Sequence, residues 1–260
     1  MKRAVILGAS SGLGMEVARL LIAEGWKTGV AARRTEPLRA LRDLAPERVE
    51  VAAIDVDAED AGERLLTLID SVGGMDLYFH APGIGKQNPT LAEDVEMNTV
   101  RTNAMGFTRM VGAAFRYMAA HGGGHIAAIT SIAGTKGLGP APSYSATKAF
   151  QGTYLQALEQ QANVRGLNIR FTDLRPGFVR TALLGDNPNY PMLLEKEPVA
   201  REMMVALRRK EHVRVIDWRW RIVVALWRLI PRGVWRHLRL ADYSSNENEK
   251  NHKTLQPCKE

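Results

Sequence analysis

A single α/β domain built on a doubly wound parallel sheet of about seven strands, with helices on both faces, is the fold predicted for this 260-residue chain. Three observations predict it. Short apolar runs alternate along the chain with stretches of helical periodicity, the pattern of repeated strand–helix–strand units. The first run passes directly through a glycine-rich turn into a helix. A hydrophobic content of 45% is enough for one large core, so residues 1–241 are expected to form one domain, followed by a flexible polar tail over 242–260.

Residues Ala4 to Leu7 make the first buried strand, and Gly8-Ala9-Ser10-Ser11-Gly12-Leu13-Gly14 follows at once. The turn opens a helix with Val17, Leu20, Leu21 and Ile22 among its apolar positions. This arrangement aims backbone N–H groups and the helix dipole at a phosphate, so it predicts dinucleotide binding. Gly25 closes the helix, and a second strand, Lys27 to Ala32, ends in Arg33-Arg34. An acid at that strand end would hold ribose hydroxyls. Two arginines suit a 2′-phosphate instead, which favours NADP(H) over NAD(H). Leu38, Leu41 and Leu44 mark a helix, and Val49 to Ile54 a third strand followed by Asp55-Val56. Asp55 is read either as an acceptor for the adenine amino group or as the cap of a helix starting near Glu59.

Met75 to His80 is the fourth strand, closed by Ala81-Pro82-Gly83-Ile84-Gly85. His80, at the edge of a buried strand, is expected to be a structural hydrogen-bonding side chain rather than a base. One long helical region over 93–120 carries Asn98, Asn103 and Gly106, and Gly122-Gly123-Gly124 ends it. His125 to Thr130 is the fifth strand and delivers Ser131 at its C-terminal end, the edge at which open parallel sheets bind ligands. A Gly/Pro-rich loop then leads to Ser143, a helix cap, and to Tyr144 and Lys148, which share one helix face. A fixed ammonium beside a phenol favours the phenolate. Tyr144 is therefore a candidate for proton transfer at a carbonyl or alcohol oxygen, with Ser131 hydrogen-bonding that oxygen. The helix stops at Gly166; Asn168 to Leu174 is the sixth strand, running into Arg175-Pro176-Gly177-Phe178-Val179-Arg180-Thr181, and Val213 to Ile216 is the seventh.

In order and spacing these motifs resemble those of the short-chain dehydrogenase/reductase family from Ala4 to Thr181, with a looser continuation through Val213 to Ile216. Gly8, Gly12 and Gly14 match its spaced glycines, Asn103-Ala104-Met105-Gly106 its Asn-x-x-Gly element, and Pro176-Gly177 with Thr181 its motif beside the nicotinamide. Ser131 precedes Tyr144 by the family's usual interval. The resemblance implies a Rossmann-type sheet and hydride transfer between a nicotinamide and a substrate carbon. It implies Tyr144 as general acid in reduction, Ser131 as the residue that orients and polarises the carbonyl, and Lys148 as the group that binds the nicotinamide ribose and lowers the Tyr144 pKa. Asn103 would hold a water linking Lys148 to solvent. Cofactor contacts are implied for Gly8, Ser10, Ser11, Gly12, Leu13 and Gly14 in the first turn, for Arg33, Arg34, Asp55 and Val56, and for Ala81 and Gly83. Tyr144, Lys148, Pro176, Gly177, Val179 and Thr181 complete that set, and no metal is implied. His80-Ala81-Pro82-Gly83 departs from the family's Asn-Asn-Ala-Gly, and Leu7 stands where Thr is usual; both bear on packing rather than on proton chemistry.

The implied activity is NADP(H)-dependent reduction of a ketone or aldehyde. Oxidation of a secondary alcohol is the alternative within that chemistry. From another class comes a dinucleotide-binding sensor or scaffold with vestigial catalysis, against which the complete Asn103, Ser131, Tyr144 and Lys148 set argues. Phe178, Leu183, Leu184, Tyr190, Met192 and Leu193 would make an apolar substrate lid, so the expected substrate is lipophilic. Residues 185–198 are expected to be loop, with a helix from Val199 to Arg209.

The net charge of +7 is concentrated between Arg208 and Arg239, where ten basic residues face two acids; that segment carries +8 and leaves −1 elsewhere. A general nucleic-acid surface is not indicated, and RNA binding through the aromatics and arginines of this segment is a distant third reading that lacks any recognition motif. Within the segment, arginines interleave with Trp218, Trp220, Trp227 and Trp235. Two readings stand side by side: peripheral membrane contact through 208–239, or tryptophans packed on the domain or across an oligomer interface with the arginines in solvent. The uncharged run from Ile222 to Trp227 is too short to span a bilayer. A homo-oligomer, dimer or tetramer, is expected. The sole cysteine, Cys258, permits no intrachain disulfide, and the apolar run after Met1 is too short for a signal-peptide core. Both fit a cytoplasmic protein, membrane-associated if the first reading of 208–239 holds.

Overall fold

The computed structural model describes residues 1–184 and 190–238. The predicted tail, Arg239 and Cys258 lie outside the described residues. Seven strands form one sheet: β1 (Arg3–Leu7), β2 (Lys27–Ala32), β3 (Val49–Ala53), β4 (Leu77–His80), β5 (Gly124–Ile129), β6 (Ile169–Arg175) and β7 (Val213–Val215). Their order is β3-β2-β1-β4-β5-β6-β7 and every pairing is parallel. Parallel neighbours need crossovers, which the helices supply: α1 (Gly12–Ala23), α2 (Glu36–Arg42), α3 (Ala61–Val72), α4 (Glu93–Val100), α5 (Phe107–Ala120), α6 (Pro142–Val164) and α7 (Lys196–Arg209). Two further helices, α8 (Trp218–Leu229) and α9 (Arg232–Trp235), follow β7.

The two-residue period of the strands divides the core. Ala4 and Ile6 of β1, with Val30, Leu77, Phe79, Ala127 and Leu174, face one side and pack on α1, α2 and α7. Val5 and Leu7, with Ala31, Tyr78, Ile126, Ala128 and Phe171, face the other and pack on α3, α5 and α6. Both faces of β1 are fully buried, which is why its sequence is continuously apolar instead of alternating. Chain order reverses between β1 and β4, and the crevice beyond their C-terminal ends is the place such sheets offer a ligand.

Three expectations are corrected, and one open reading is narrowed. Asp55 does not cap the helix after β3: α3 begins at Ala61 with Asp60 before it, and the Asp55 carboxylate accepts from the Asp57 N–H. A carboxylate two residues from an N–H closes a local turn more readily than it reaches a helix six residues on. The region 93–120 is not one regular helix, because a π-helical turn over Arg101–Gly106 separates α4 from α5. Gly106 presses there on Val56, and the wider turn carries Asn103 into the interior, where it is fully buried, whereas Asn98 stays exposed. The loop expected over 185–198 ends early: α7 starts at Lys196 with Pro198 in its first turn, a position where proline's missing N–H has no helical partner to lose. Of the four tryptophans in the basic segment, Trp220, Trp227 and Trp235 pack on the domain and only Trp218 is exposed.

Candidate active site

At the β1 end, Gly8 takes φ +76°, and a Cβ there would come within 2.8 Å of the Pro82 nitrogen. A Cβ on Gly14 would overlap the Gly8 carbonyl oxygen. Only glycine permits this closeness, and it leaves a shallow cradle at the start of α1 whose Ser10 and Ser11 are accessible. The Ser11 side chain makes no cap to its own helix, so the first N–H groups of α1 are available to an oxyanion. The Gly8 and Ala9 N–H groups both donate to the Ala31 carbonyl, binding the cradle to the end of β2. Arg33 and Arg34 follow immediately and are exposed. Leu13 is buried beneath the turn, and Val56, beyond the β3 end, is buried against Gly106.

The loop after β4 fits this cradle despite its altered sequence. The Ala81 N–H donates to Leu7, Ala81 lies against Gly14, and Pro82 lies against Gly8. In place of the family's asparagine, His80 Nδ1 is hydrogen-bonded to the Tyr78 hydroxyl at 2.9 Å. Burial, with the Lys148 charge nearby, holds the His80 imidazole down to about 3. It is neutral at physiological pH, a structural group as its strand position suggested.

Ser131 follows β5, and its Oγ accepts from the Ala133 N–H at 3.1 Å, capping a 3-10 turn over Ile132–Thr135. The Ser131 hydroxyl lies beside the Tyr144 phenol. Burial raises the Tyr144 phenol and the neighbouring Ser131 hydroxyl opposes the rise. Lys148 Nζ lies 5.8 Å from the centre of the Tyr144 ring. Burial is the largest influence on the phenol in this structure. Gly85 lies flat on the Tyr144 ring, where a side chain would collide.

Lys148 is 4% exposed. Its ammonium donates to the Ile129 carbonyl at 3.0 Å and to Gln151 Oε1 at 3.0 Å. Burial brings it down to about 8, with Asp173 opposing the shift. Asn103 Nδ2 donates to the Ile84 carbonyl at 2.7 Å and Asn103 Oδ1 accepts from the Ile84 N–H at 2.9 Å, a clamp that fixes the loop after β4. The Asn103 carbonyl is taken by Gln151 Nε2 at 2.9 Å. Gln151 thus joins Lys148 to Asn103 directly. Gln151 was missed in the sequence. The available signal was its place three residues after Lys148, on the same buried face of α6.

Beyond β6, Pro176-Gly177 and Val179 border the same edge, and Thr181 approaches Gly12 across the cradle. Phe178 packs on Tyr190, with ring centres 4.7 Å apart, and edge-on to Trp220 at 5.6 Å. The Trp220 indole lies directly on Gly177. Every sequence-predicted site residue falls on the C-terminal edge of the sheet; Arg33, Arg34 and Asp55 stand at its far end, away from Tyr144.

Comparison with known proteins agrees with this geometry. The short chain dehydrogenase family profile matches residues 2–189. An uncharacterized oxidoreductase of Myxococcus xanthus is 32% identical over 244 residues, covering 90% of this chain and 94% of that protein. A short-chain dehydrogenase from Sphingobium yanoikuyae, solved with NADPH, superposes with a TM-score of 0.75 at 22% identity, covering 95% of this chain and all of the other. The 3-ketoacyl-(acyl-carrier-protein) reductase of Brucella melitensis, solved with NADH, gives 0.74 at 19% identity, covering 83% and 96%.

The Gln151 contacts predict opposite shifts in two variants. Gln151→Leu removes an acceptor from the buried ammonium and should lower the Lys148 pKa below about 8; Gln151→Glu adds a carboxylate and should raise it. Each change should be on the order of one pH unit, since a hydrogen bond to a charged group contributes about 1.5–3 kcal/mol. NMR titration of protein carrying 13C at the lysine ε-carbons reads both. Shifts of the same sign, or none, would separate Gln151 from Lys148.

Proposed function

Since the chain belongs to the short-chain dehydrogenase family, we propose that it is an NADP(H)-dependent oxidoreductase that reduces a lipophilic ketone or aldehyde. The observation that carries this reading is the Tyr144 phenol, placed beside the Ser131 hydroxyl and kept protonated by burial, with the Lys148 ammonium 5.8 Å from its ring centre. A protonated phenol is poised to give a proton to a carbonyl oxygen, which favours the reductive direction. Ser131 donates to the same oxygen and orients it. Lys148 and Asn103 hold the surrounding loops through Ile129 and Ile84. After transfer, the Tyr144 phenolate is stabilised by the nearby ammonium.

The residues present fit a dinucleotide. The glycine cradle has no room for a Cβ at Gly14, Ser10 and Ser11 are accessible beside free helix N–H groups, and Thr181 faces the cradle from the opposite wall. Arg33 and Arg34 stand exposed where a 2′-phosphate would be met, with no acid at the β2 end, and this supports NADP(H) over NAD(H). Asp55 and Val56 would border the adenine, while Ala81, Gly83, Pro176, Gly177 and Val179 would line the path toward Lys148 and Tyr144. When bound, the nicotinamide supplies the hydride.

A lipophilic substrate is supported by the apolar wall of Phe178, Tyr190, Met192 and Trp220. The assembly proposed is a homo-oligomer, for which the exposed Met97, Val100, Met105 and Phe150 offer apolar surface to a second copy. A cytoplasmic location is proposed from the single cysteine.

Two substitutions test the reading. In Tyr144→Phe, NADPH-dependent reduction of a long-chain ketone should fall by about 10²–10⁴-fold while NADPH still binds, as read by fluorescence titration; undiminished turnover would remove Tyr144 from the chemistry. Arg33→Ala should weaken NADPH binding by about tenfold or more and leave NADH affinity unchanged. An unaltered ratio of the two affinities would overturn the cofactor preference.

A further inference from the structure

Helix α8 is apolar on two opposite sides. Its inner side buries Trp220 and Val224 against Ile132, Phe178 and Leu194. Trp227 Nε1 donates to Thr135 Oγ1 at 2.8 Å, Trp235 Nε1 to the Gly137 carbonyl at 2.8 Å, and Lys136 Nζ to the Ile230 carbonyl at 2.8 Å. These bonds fix the helix and its short continuation α9 to the domain. The outer side then has nowhere to turn. Trp218 is 62% exposed, Ile222 52%, Leu226 61% and Leu229 78%. Their spacing of four, four and three places them in one stripe along the helix, and Val234 adds a further exposed apolar side chain after the Pro231 break.

From Trp218 to Leu238 the chain carries five arginines and no acid. Arg208, Arg209, Arg214 and Arg219 each pair with an acid. Among the described residues, Arg221, Arg228, Arg232 and Arg236 join no salt bridge, and all four are exposed. Arg221 and Arg228 flank one side of the stripe, and Arg232 and Arg236 extend the basic character through α9. A second copy of the same face would bring like charges together as the apolar residues met. An anionic lipid surface would instead accept the apolar side chains below the headgroups while the arginines reached up to phosphate. No helix among the described residues is long and apolar enough to cross a membrane, so contact would be made lying flat.

We propose that the outer face of α8, continued by α9, docks this protein on the surface of an anionic lipid bilayer. The docking surface stands independently of the proposed reaction. Combined with it, the inner side of the same helix, seated on Gly177 and Phe178, puts the apolar substrate wall next to the lipid from which a lipophilic carbonyl compound would come.

Sedimentation of the whole chain with phosphatidylcholine vesicles, with and without phosphatidylglycerol, tests this. Binding is expected to the anionic vesicles, and to be about tenfold weaker or less on neutral vesicles or at ~0.5 M salt. The double variant Ile222→Ser/Leu226→Ser, and separately the triple variant Arg228→Gln/Arg232→Gln/Arg236→Gln, should each weaken it by about tenfold or more. The altered side chains are exposed, so thermal unfolding followed by circular dichroism should match the parent, and Leu226→Gln alone provides a milder variant. Quenching of tryptophan fluorescence by brominated lipid should occur in the parent and be reduced in Trp218→Ser. A parent protein that stays in the supernatant with anionic vesicles would overturn the proposal. So would variants that bind as the parent does, or an Ile222→Ser/Leu226→Ser protein whose light-scattering mass drops to that of a smaller oligomer, which would assign the stripe to a second copy.

Discussion

A buried ammonium has to be hydrogen-bonded on every side that water has left, and much of the site follows from meeting that demand at Lys148. The Ile129 carbonyl brings in the end of β5, and Gln151 brings in the next turn of α6. Through Gln151 the Asn103 carbonyl is drawn in, and through the Asn103 side chain the Ile84 backbone. A carbonyl inside a regular α-helix is already occupied by the N–H four residues on. The π-helical turn over Arg101–Gly106 opens that pattern and leaves Asn103 able to serve another partner. One charge on α6 thus ties together β5, the loop after β4 and the junction of α4 with α5. Asp173 at the neighbouring strand offsets part of its desolvation.

The same network explains which parts of the molecule were legible in the sequence. The alternation of strands and helices, the glycine cradle and the shared helix face of Tyr144 and Lys148 could be read because each depends on local pattern: apolar runs, spaced glycines, and two residues four apart on a helix. The family resemblance then fixed how those pieces lie in space. What could not be read were contacts made by side chains with no pattern of their own. Gln151 looks like any polar helix residue until Asn103 is seen to need its amide. The break within 93–120 leaves no trace in periodicity, because α5 resumes its apolar face at once with Phe107, Met110 and Val111. His80 shows the reverse case. A motif departure raised doubt about packing, and the Tyr78 hydroxyl, two residues earlier on the same face, resolves it.

The C-terminal segment divides along its helix axis. Tryptophans at 220, 227 and 235 behave as packing residues, so composition alone, which counted Trp and Arg without direction, joined two different roles. Direction separates them. Inner residues complete the wall beside Gly177, and outer residues leave an apolar stripe beside exposed arginines. The proposed substrate wall and the exposed apolar stripe are therefore two faces of one twelve-residue helix.

The account stands or falls on hydride transfer to a carbonyl carbon at the Ser131–Tyr144 edge. Its most direct measurement is mass spectrometry of the alcohol formed when the protein is given NADPH deuterated at nicotinamide C4 and a panel of ketones graded in chain length. The prediction is one deuterium at the carbinol carbon, in a single stereoisomer, with yield rising as the ketone becomes more apolar. Cofactor that binds tightly yet leaves every ketone in the panel unlabelled would contradict it.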